Sequence, residues 1–72
     1  MQKRTSLIKT LHDLKTAHDA ASDALGRIAR TAVVSENGEA VSPMLEFLQD
    51  YQDALKEAKR QALHAQVILS DL

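Results

Sequence analysis

The chain has 72 residues, a formal net charge of −1 at pH 7, no cysteine and two aromatic residues, Phe47 and Tyr51. This composition excludes a disulfide-stapled fold and a thiolate metal site, and the mixed charges leave no basic field for a nucleic-acid backbone. No apolar run is long enough to cross a bilayer, and the first residues, MQKRTSLIKTL, lack the apolar segment of a signal peptide. We therefore expect one small domain, residues 1–72, of a soluble cytoplasmic protein.

The first predicted element is a helix over about residues 5–34. From Leu7 to Ala32 the apolar residues step alternately by four and by three, apart from one gap filled by His18. This is the heptad spacing of a helix that packs on another helix. A strand would alternate every second residue, and this segment does not. The predicted seam consists of Leu7, Leu11, Leu14, His18, Ala21, Leu25, Ile28 and Ala32.

A loop is predicted next, over about residues 35–42, in the stretch SENGEAVSP. The pair Asn37-Gly38 tolerates the positive φ that a chain reversal needs. Ser42 and Pro43 fit the N-cap and the first position of a following helix. We predict that the chain folds back here; the alternative is an extended rod that pairs only with other chains.

The second predicted helix covers about residues 43–70 and carries the same heptad spacing. Its predicted seam consists of Met44, Leu48, Tyr51, Leu55, Ala58, Ala62, Ala65, Leu69 and Leu72. The fold class is therefore all-α, an antiparallel two-helix hairpin with a coiled-coil seam. Such a small core is marginal by itself, so we expect a bundle completed by oligomerisation or by a partner.

Folding back about Gly38 pairs residues whose numbers sum to 76, for example Leu11 with Ala65. In five of the eight layers a large side chain then faces alanine, which keeps the volume of the layers constant. The same register predicts two groups of ion pairs between the helices, Arg27 and Arg30 with Asp50 and Glu46, and Asp19 with Lys56 and Lys59.

Apolar residues also remain outside the two seams, most clearly in ALHAQVILSDL at the end of the second helix. Leu63 and Val67 point away from the seam there. They are either two isolated surface residues or part of a second interface. We predict the second, with a partner protein bound by Phe47, Leu63, Val67, Ile68 and Leu69.

The three histidines are the only candidates for a metal or pH-sensitive site. His18 interrupts the seam, and we interpret it as a core histidine in preference to a switch or a ligand. His12 and His64 lie on the outside of the predicted hairpin near Asp13, but zinc sites need three or four such groups. We expect no metal and no cofactor. Gly26 either permits a close helix approach, marks a bend or is tolerated drift.

No motif for catalysis is present. The sequence contains no Ser-His-Asp grouping, no glycine-rich phosphate loop and no HExxH run. The carboxylates Asp50, Asp53 and Glu57 follow the second helix, but a thin hairpin has no pocket that would separate their pKa values. The short basic patches have no aromatic platforms for bases. We expect no enzyme activity, no catalytic residue and no nucleic-acid partner.

Two stretches carry a family resemblance: Pro43 followed by Phe47-Leu48-Gln49, and the closing residues Ile68 to Leu72. With its size and its helix–turn–helix plan, the chain resembles the small co-chaperones of type III secretion needle subunits, the YscE/PscE type. The resemblance implies a heterodimer with a helical-repeat chaperone, in which the hairpin masks an aggregation-prone surface. A further similarity, at Pro43, Leu45 and Gln49, is to the needle subunits themselves.

Two functions remain as alternatives from the sequence. The first is an adaptor or co-chaperone that docks an apolar helical face on a different protein. The second is a homodimeric four-helix bundle that acts as a small regulator or inhibitor of phage or plasmid type. A histidine-based metal protein is a third and weaker hypothesis.

Overall fold

The computed structural model describes residues 2–34 and 41–72. Helix α1 spans Gln2–Val34 and helix α2 spans Val41–Ser70. The two helices pack side by side in an elongated unit of 56 × 13 × 12 Å. This arrangement confirms the predicted all-α helical hairpin. The predicted reversal at Asn37-Gly38 lies outside the described residues. Neither helix holds a segment of sufficient length and hydropathy to traverse a bilayer.

Both helices begin earlier than the sequence predicts. Helix α1 starts at Gln2 rather than at residue 5, and α2 starts at Val41 rather than at residue 43. The prediction of Ser42 as N-cap is therefore wrong, because Ser42 and Pro43 lie within the first turn of α2. Proline is tolerated there because the first four N–H groups of a helix have no acceptor within it.

The core between the helices is built almost entirely from small side chains. No large side chain is fully buried among the described residues. The buried residues are Thr10, Ala17, Ala21, Ala24, Ala58, Gln61 and Ala65. Small residues at a helix contact let the two axes approach closely. We call this buried stripe the alanine seam.

About half of the predicted seam lies in the contact between the helices. The confirmed positions, which are buried or half-buried, are Leu7, Leu14, Ala21, Ile28, Met44, Tyr51, Ala58 and Ala65. The prediction is wrong for a second set, which is exposed: Leu11, His18, Leu25, Ala32, Leu48, Leu55, Ala62 and Leu69. Leu72, at the end of the chain, is exposed as well.

For each residue of the exposed set, the residue directly before it in the chain is more buried against the other helix. These preceding residues are Thr10, Ala17, Ala24, Thr31, Phe47, Ala54, Gln61 and Ile68, and all are buried or half-buried. The seven-residue repeat is therefore kept, but each helix is rotated about its axis relative to the prediction.

The lengthwise alignment of the helices is close to the predicted one. At the open end of the hairpin, Lys3 Nζ donates a hydrogen bond to the carbonyl oxygen of Asp71 at 3.5 Å. These two residue numbers sum to 74, against the predicted 76. The antiparallel direction follows from the same contact, because it joins the start of α1 to the end of α2.

The predicted ion pairs between the helices are wrong. Asp19 pairs with Lys15 at 2.9 Å, and Arg27 pairs with Asp23 at 2.9 Å, both within α1. Such pairs one turn apart form because they need no alignment with a second element. Over residues 2–34 and 41–72, no ion pair joins α1 to α2.

Gly26 does not mark a close approach of α2. A methyl group placed on its Cα would meet only the guanidinium of Arg30, 3.3 Å from Nη1, within the same helix. The end of an arginine side chain can move aside. The close-approach interpretation of Gly26 is therefore wrong for contact with α2.

Candidate protein-binding surfaces

The exposed half of the predicted seam lies on one side of the hairpin. Each exposed residue follows a seam residue directly, as Leu25 follows Ala24 in α1 and Leu55 follows Ala54 in α2. One residue turns a helix by about 100°. Viewed from one end of the hairpin, the two antiparallel helices turn in opposite senses. The exposed residues of α1 and those of α2 therefore lie on the same side of the hairpin.

We call this side the apolar face. It comprises Leu11, His18, Leu25 and Ala32 from α1, and Leu48, Leu55, Ala62 and Leu69 from α2. Its leucines are between 40% and 55% exposed. None of the eight residues is an acid, a lysine or an arginine, and His18 is the one polar member. A patch of this kind along a whole molecule is typical of an interaction surface.

The opposite side of the hairpin is polar. An open groove of about 490 Å³ lies there between the helices. It is lined by Asp13, Thr16, Ala17, Ala20, Ala54, Glu57, Arg60 and Gln61. We call it the polar groove. Its charged groups are largely paired with each other, as the geometry around Glu57 shows.

Glu57 is the most strongly held side chain of the polar groove. Arg60 donates from Nε to Oε2 at 3.0 Å and from Nη2 to Oε1 at 2.6 Å, and Gln61 Nε2 donates to Oε1 at 2.9 Å. These bonds, those from Arg60 foremost, lower the pKa of Glu57 from 4.5 to about 2. The hydrogen bond to Glu57 also raises the pKa of Arg60. A carboxylate held in this way stays ionised at neutral pH and is poorly suited to donate a proton.

The five residues predicted to bind a partner do not share one surface. Leu69 belongs to the apolar face, whereas Phe47 and Ile68 are half-buried between the helices. Leu63 and Val67 are 55% and 61% exposed, and their spacing of four places them together on the outside of α2. We call Leu63 and Val67 the outer patch.

The outer patch has a partly basic border. Leu63 shares a shallow groove with Asp53, Lys56, Glu57, Lys59 and Arg60 on one side of α2. Since Arg60 is paired with Glu57 at 2.6 Å, two lysines and one aspartate remain beside Leu63, and their charges sum to +1. A partner with acidic side chains around an apolar centre would match this border.

The interpretation of His18 as a core histidine is wrong, because His18 is exposed on the apolar face. His12 and His64 are exposed too. Within the part of the chain that the structure describes, no three side chains of His, Cys, Asp or Glu converge on a point that could hold a metal ion.

The sequence-based prediction assigned Leu11, Leu25, Leu48 and Leu55 to the seam and so missed them as surface residues. One signal could have found them. Small residues recur every seven positions one place before the leucine heptad of α1, at Thr10, Ala17, Ala24 and Thr31. A stripe of small residues marks where two helices can approach most closely.

Comparisons with protein-family models, with curated proteins and with solved structures found no match to this chain. The resemblance to the needle-subunit co-chaperones therefore stays a prediction. The surfaces of the hairpin provide the evidence from which a function can be proposed.

Proposed function

We propose that this chain is a non-enzymatic protein–protein interaction module that docks an apolar helical surface on another protein. One observation carries the proposal. Leucines are exposed along the whole length of the hairpin, while every apolar residue buried in its core is an alanine. The exposed leucines are thus placed where a second protein can cover them.

The surface area of the chain supports the same conclusion. It exposes 5617 Å², whereas a compact protein of 7.9 kDa exposes only about 4,400 Å². The hairpin therefore leaves about 1,200 Å² more surface in water than its mass requires. Burying one half-exposed leucine completely contributes about 1 kcal/mol, so covering several of them would stabilise a fold whose own core is small.

The partner that fits the outer patch is a helical protein with an apolar centre and an acidic border. Leu63 and Val67 would enter its centre, and Lys56 and Lys59 would face its border. The resemblance at Pro43, at Phe47-Leu48-Gln49 and at Ile68 to Leu72 supports the same role, an adaptor or co-chaperone of the type III secretion kind. Such a protein acts in the cytoplasm, where the lack of cysteine is unremarkable.

The test compares a charge placed on the outer patch with the same charge placed elsewhere on α2. A candidate partner captured from host cells is purified and titrated with the wild-type chain, with Leu63→Asp/Val67→Asp and with Gln52→Asp. We expect the double variant to bind at least about 10-fold more weakly, because it buries unpaired charge, and Gln52→Asp to bind as the wild type does. Equal binding of all three would contradict docking through the outer patch.

A homodimeric four-helix bundle, acting as a small regulator or inhibitor of phage or plasmid type, is the second candidate. The apolar face favours it specifically, because this face draws on both helices and runs the length of the hairpin. Two such faces together would enclose a core of the four-helix kind.

A further inference from the structure

We propose that the apolar face binds the apolar face of a second copy of this chain, so that two hairpins form a four-helix bundle. The inference rests on the proposed function, since it names the partner of one of the two apolar surfaces. It leaves the outer patch free for a different protein. The two surfaces can therefore be tested separately.

The area of the face matches that of a stable dimer. The hairpin measures 56 Å along its length and 13 and 12 Å across it, so a face that runs its full length has a projected area of about 700 Å². A standard protein–protein interface covers about 800 Å² on each partner. A dimer that uses the whole apolar face therefore has an interface of standard area. It also buries more than half of the roughly 1,200 Å² by which the surface of the hairpin exceeds that of a compact protein of the same mass.

The charge of the face permits contact with itself. Two copies related by a two-fold axis bring each side chain near its own counterpart or near neighbours on the same face. A face of one charge sign would repel itself in this arrangement, whereas the eight residues of the apolar face include no acid, lysine or arginine. Arg4, seven residues before Leu11, continues the same stripe at the open end of the hairpin. At the edge of the face, Lys15 and Asp19 neutralise each other at 2.9 Å. The net charge of −1 for each chain adds little repulsion.

The pattern of sizes on the face supplies both knobs and holes. In α1 the leucines Leu11 and Leu25 are separated by His18 and followed by Ala32, and in α2 Ala62 lies between Leu55 and Leu69. The two alanines leave gaps on the face. In helix packing, a large side chain of one helix enters a gap on the next. An identical hairpin has the same length, width and seven-residue repeat, and so can fill such gaps along the full face.

The decisive variant places charge on the face. In Leu25→Asp/Leu55→Asp each aspartate enters the interface twice because of the symmetry. Sedimentation equilibrium from about 1 to 100 µM should give about 16 kDa, twice 7.9 kDa, for the wild type, with a Kd in the micromolar range or tighter. We expect the double variant to associate at least about 100-fold more weakly. Leu63→Asp on the outer patch is the matched control and should remain dimeric.

A second variant covers the case in which the double variant does not fold. His18→Leu replaces the one polar residue of the face and should tighten the dimer by about 10-fold or more, since the added apolar side chain is buried in both copies. No change in the dimer Kd would overturn the proposal. A wild-type monomer at 100 µM, or a dimer lost with Leu63→Asp but kept with Leu25→Asp/Leu55→Asp, would overturn it as well. None of these results decides whether the outer patch binds a different partner, because the titration of that partner with Leu63→Asp/Val67→Asp tests that surface separately.

Discussion

The alanine seam and the apolar face are adjacent stripes on the same two helices, and each repeats every seven residues. In the first, Ala17, Ala21 and Ala24 of α1 are buried against α2. In the second, one position further along the chain in each repeat, Leu11 and Leu25 are about half exposed. The most deeply buried apolar residues of this hairpin are therefore alanines, and the neighbouring leucines of the apolar face are left half exposed. Two helices in isolation pack most closely through small residues, and larger apolar residues are then available for a third and fourth helix.

The largest effect should come from placing the same leucine in each stripe. Ala21→Leu adds volume to a position that is only 2% exposed and should lower the free energy of unfolding by about 1–3 kcal/mol, because it forces the helices apart. Ala62→Leu adds the same atoms to an exposed position and should cause no such loss when it is measured at a protein concentration below the dimer Kd, where the apolar face is uncovered. Thermal unfolding followed by circular dichroism measures both, with a change of about 4–8 °C for each kcal/mol.

Equal destabilisation by Ala21→Leu and Ala62→Leu would break the distinction between the stripes. If only Ala62→Leu lowered the free energy of unfolding, position 62 would lie between the helices. The leucine spacing of the sequence would then give the correct rotation of each helix. The comparison is matched, because both substitutions replace alanine by leucine within a helix.

A smaller effect, of opposite sign, is expected at Gly26. Gly26→Ala should raise the free energy of unfolding by up to about 1 kcal/mol, because alanine favours the helix and only the mobile end of Arg30 must shift. Ala29→Gly, at an exposed position of α1, should have the reverse effect and serves as the control. A loss of stability in Gly26→Ala would contradict the free movement of the Arg30 side chain away from the added methyl group.

The smallest effect concerns the polar groove, where folding lowers the pKa of Glu57 from 4.5 to about 2. Because the folded pKa is the lower one, Glu57 stabilises the fold fully above pH 4.5, and this contribution is lost as the pH falls to about 2. Urea unfolding of the wild type and Glu57→Gln should therefore differ by a small constant amount above pH 4.5, and the difference should shrink below it.

The control for this titration removes the donor instead of the acceptor. In an Arg60→Gln background, the pH-dependent difference between Glu57 and Glu57→Gln should become smaller but should not vanish, because the hydrogen bond from Gln61 to Glu57 remains. A difference between wild type and Glu57→Gln that grows as the pH falls would contradict the assigned direction of the pKa shift.

The sequence was sufficient to predict two long antiparallel helices and half of their contact. Leu14, Ile28 and Met44 face the other helix as their spacing predicts. The other half of the predicted seam positions is wrong because heptad spacing selects the most apolar stripe of each helix. In this hairpin that stripe includes exposed residues, which the described parts of the chain do not cover. Hydropathy contains no information on the distance between helix axes, which small residues such as Ala17 and Ala24 determine.

The predicted binding residues illustrate the same limit. The exposure of Leu63 and Val67 agrees with the prediction that they point away from the seam. Neither residue occupies a heptad position that contacts the other helix. Phe47 and Ile68 could not be placed from the pattern, because a rotation of about 100° decides whether they face α1 or solvent. Ion pairs such as Lys15 with Asp19 form within one helix, so they do not report on this rotation.

The central claim is that the leucines left outside the alanine seam are covered by a second copy of the chain. Thermal unfolding of the wild type over a 100-fold range of protein concentration tests it most directly, because association stabilises a folded dimer by mass action. We predict a midpoint that rises steadily with concentration, together with a midpoint for Leu25→Asp/Leu55→Asp that does not. A wild-type midpoint that is sharp, reversible and independent of concentration would show that the hairpin is stable alone with its leucines in water, and would contradict the account.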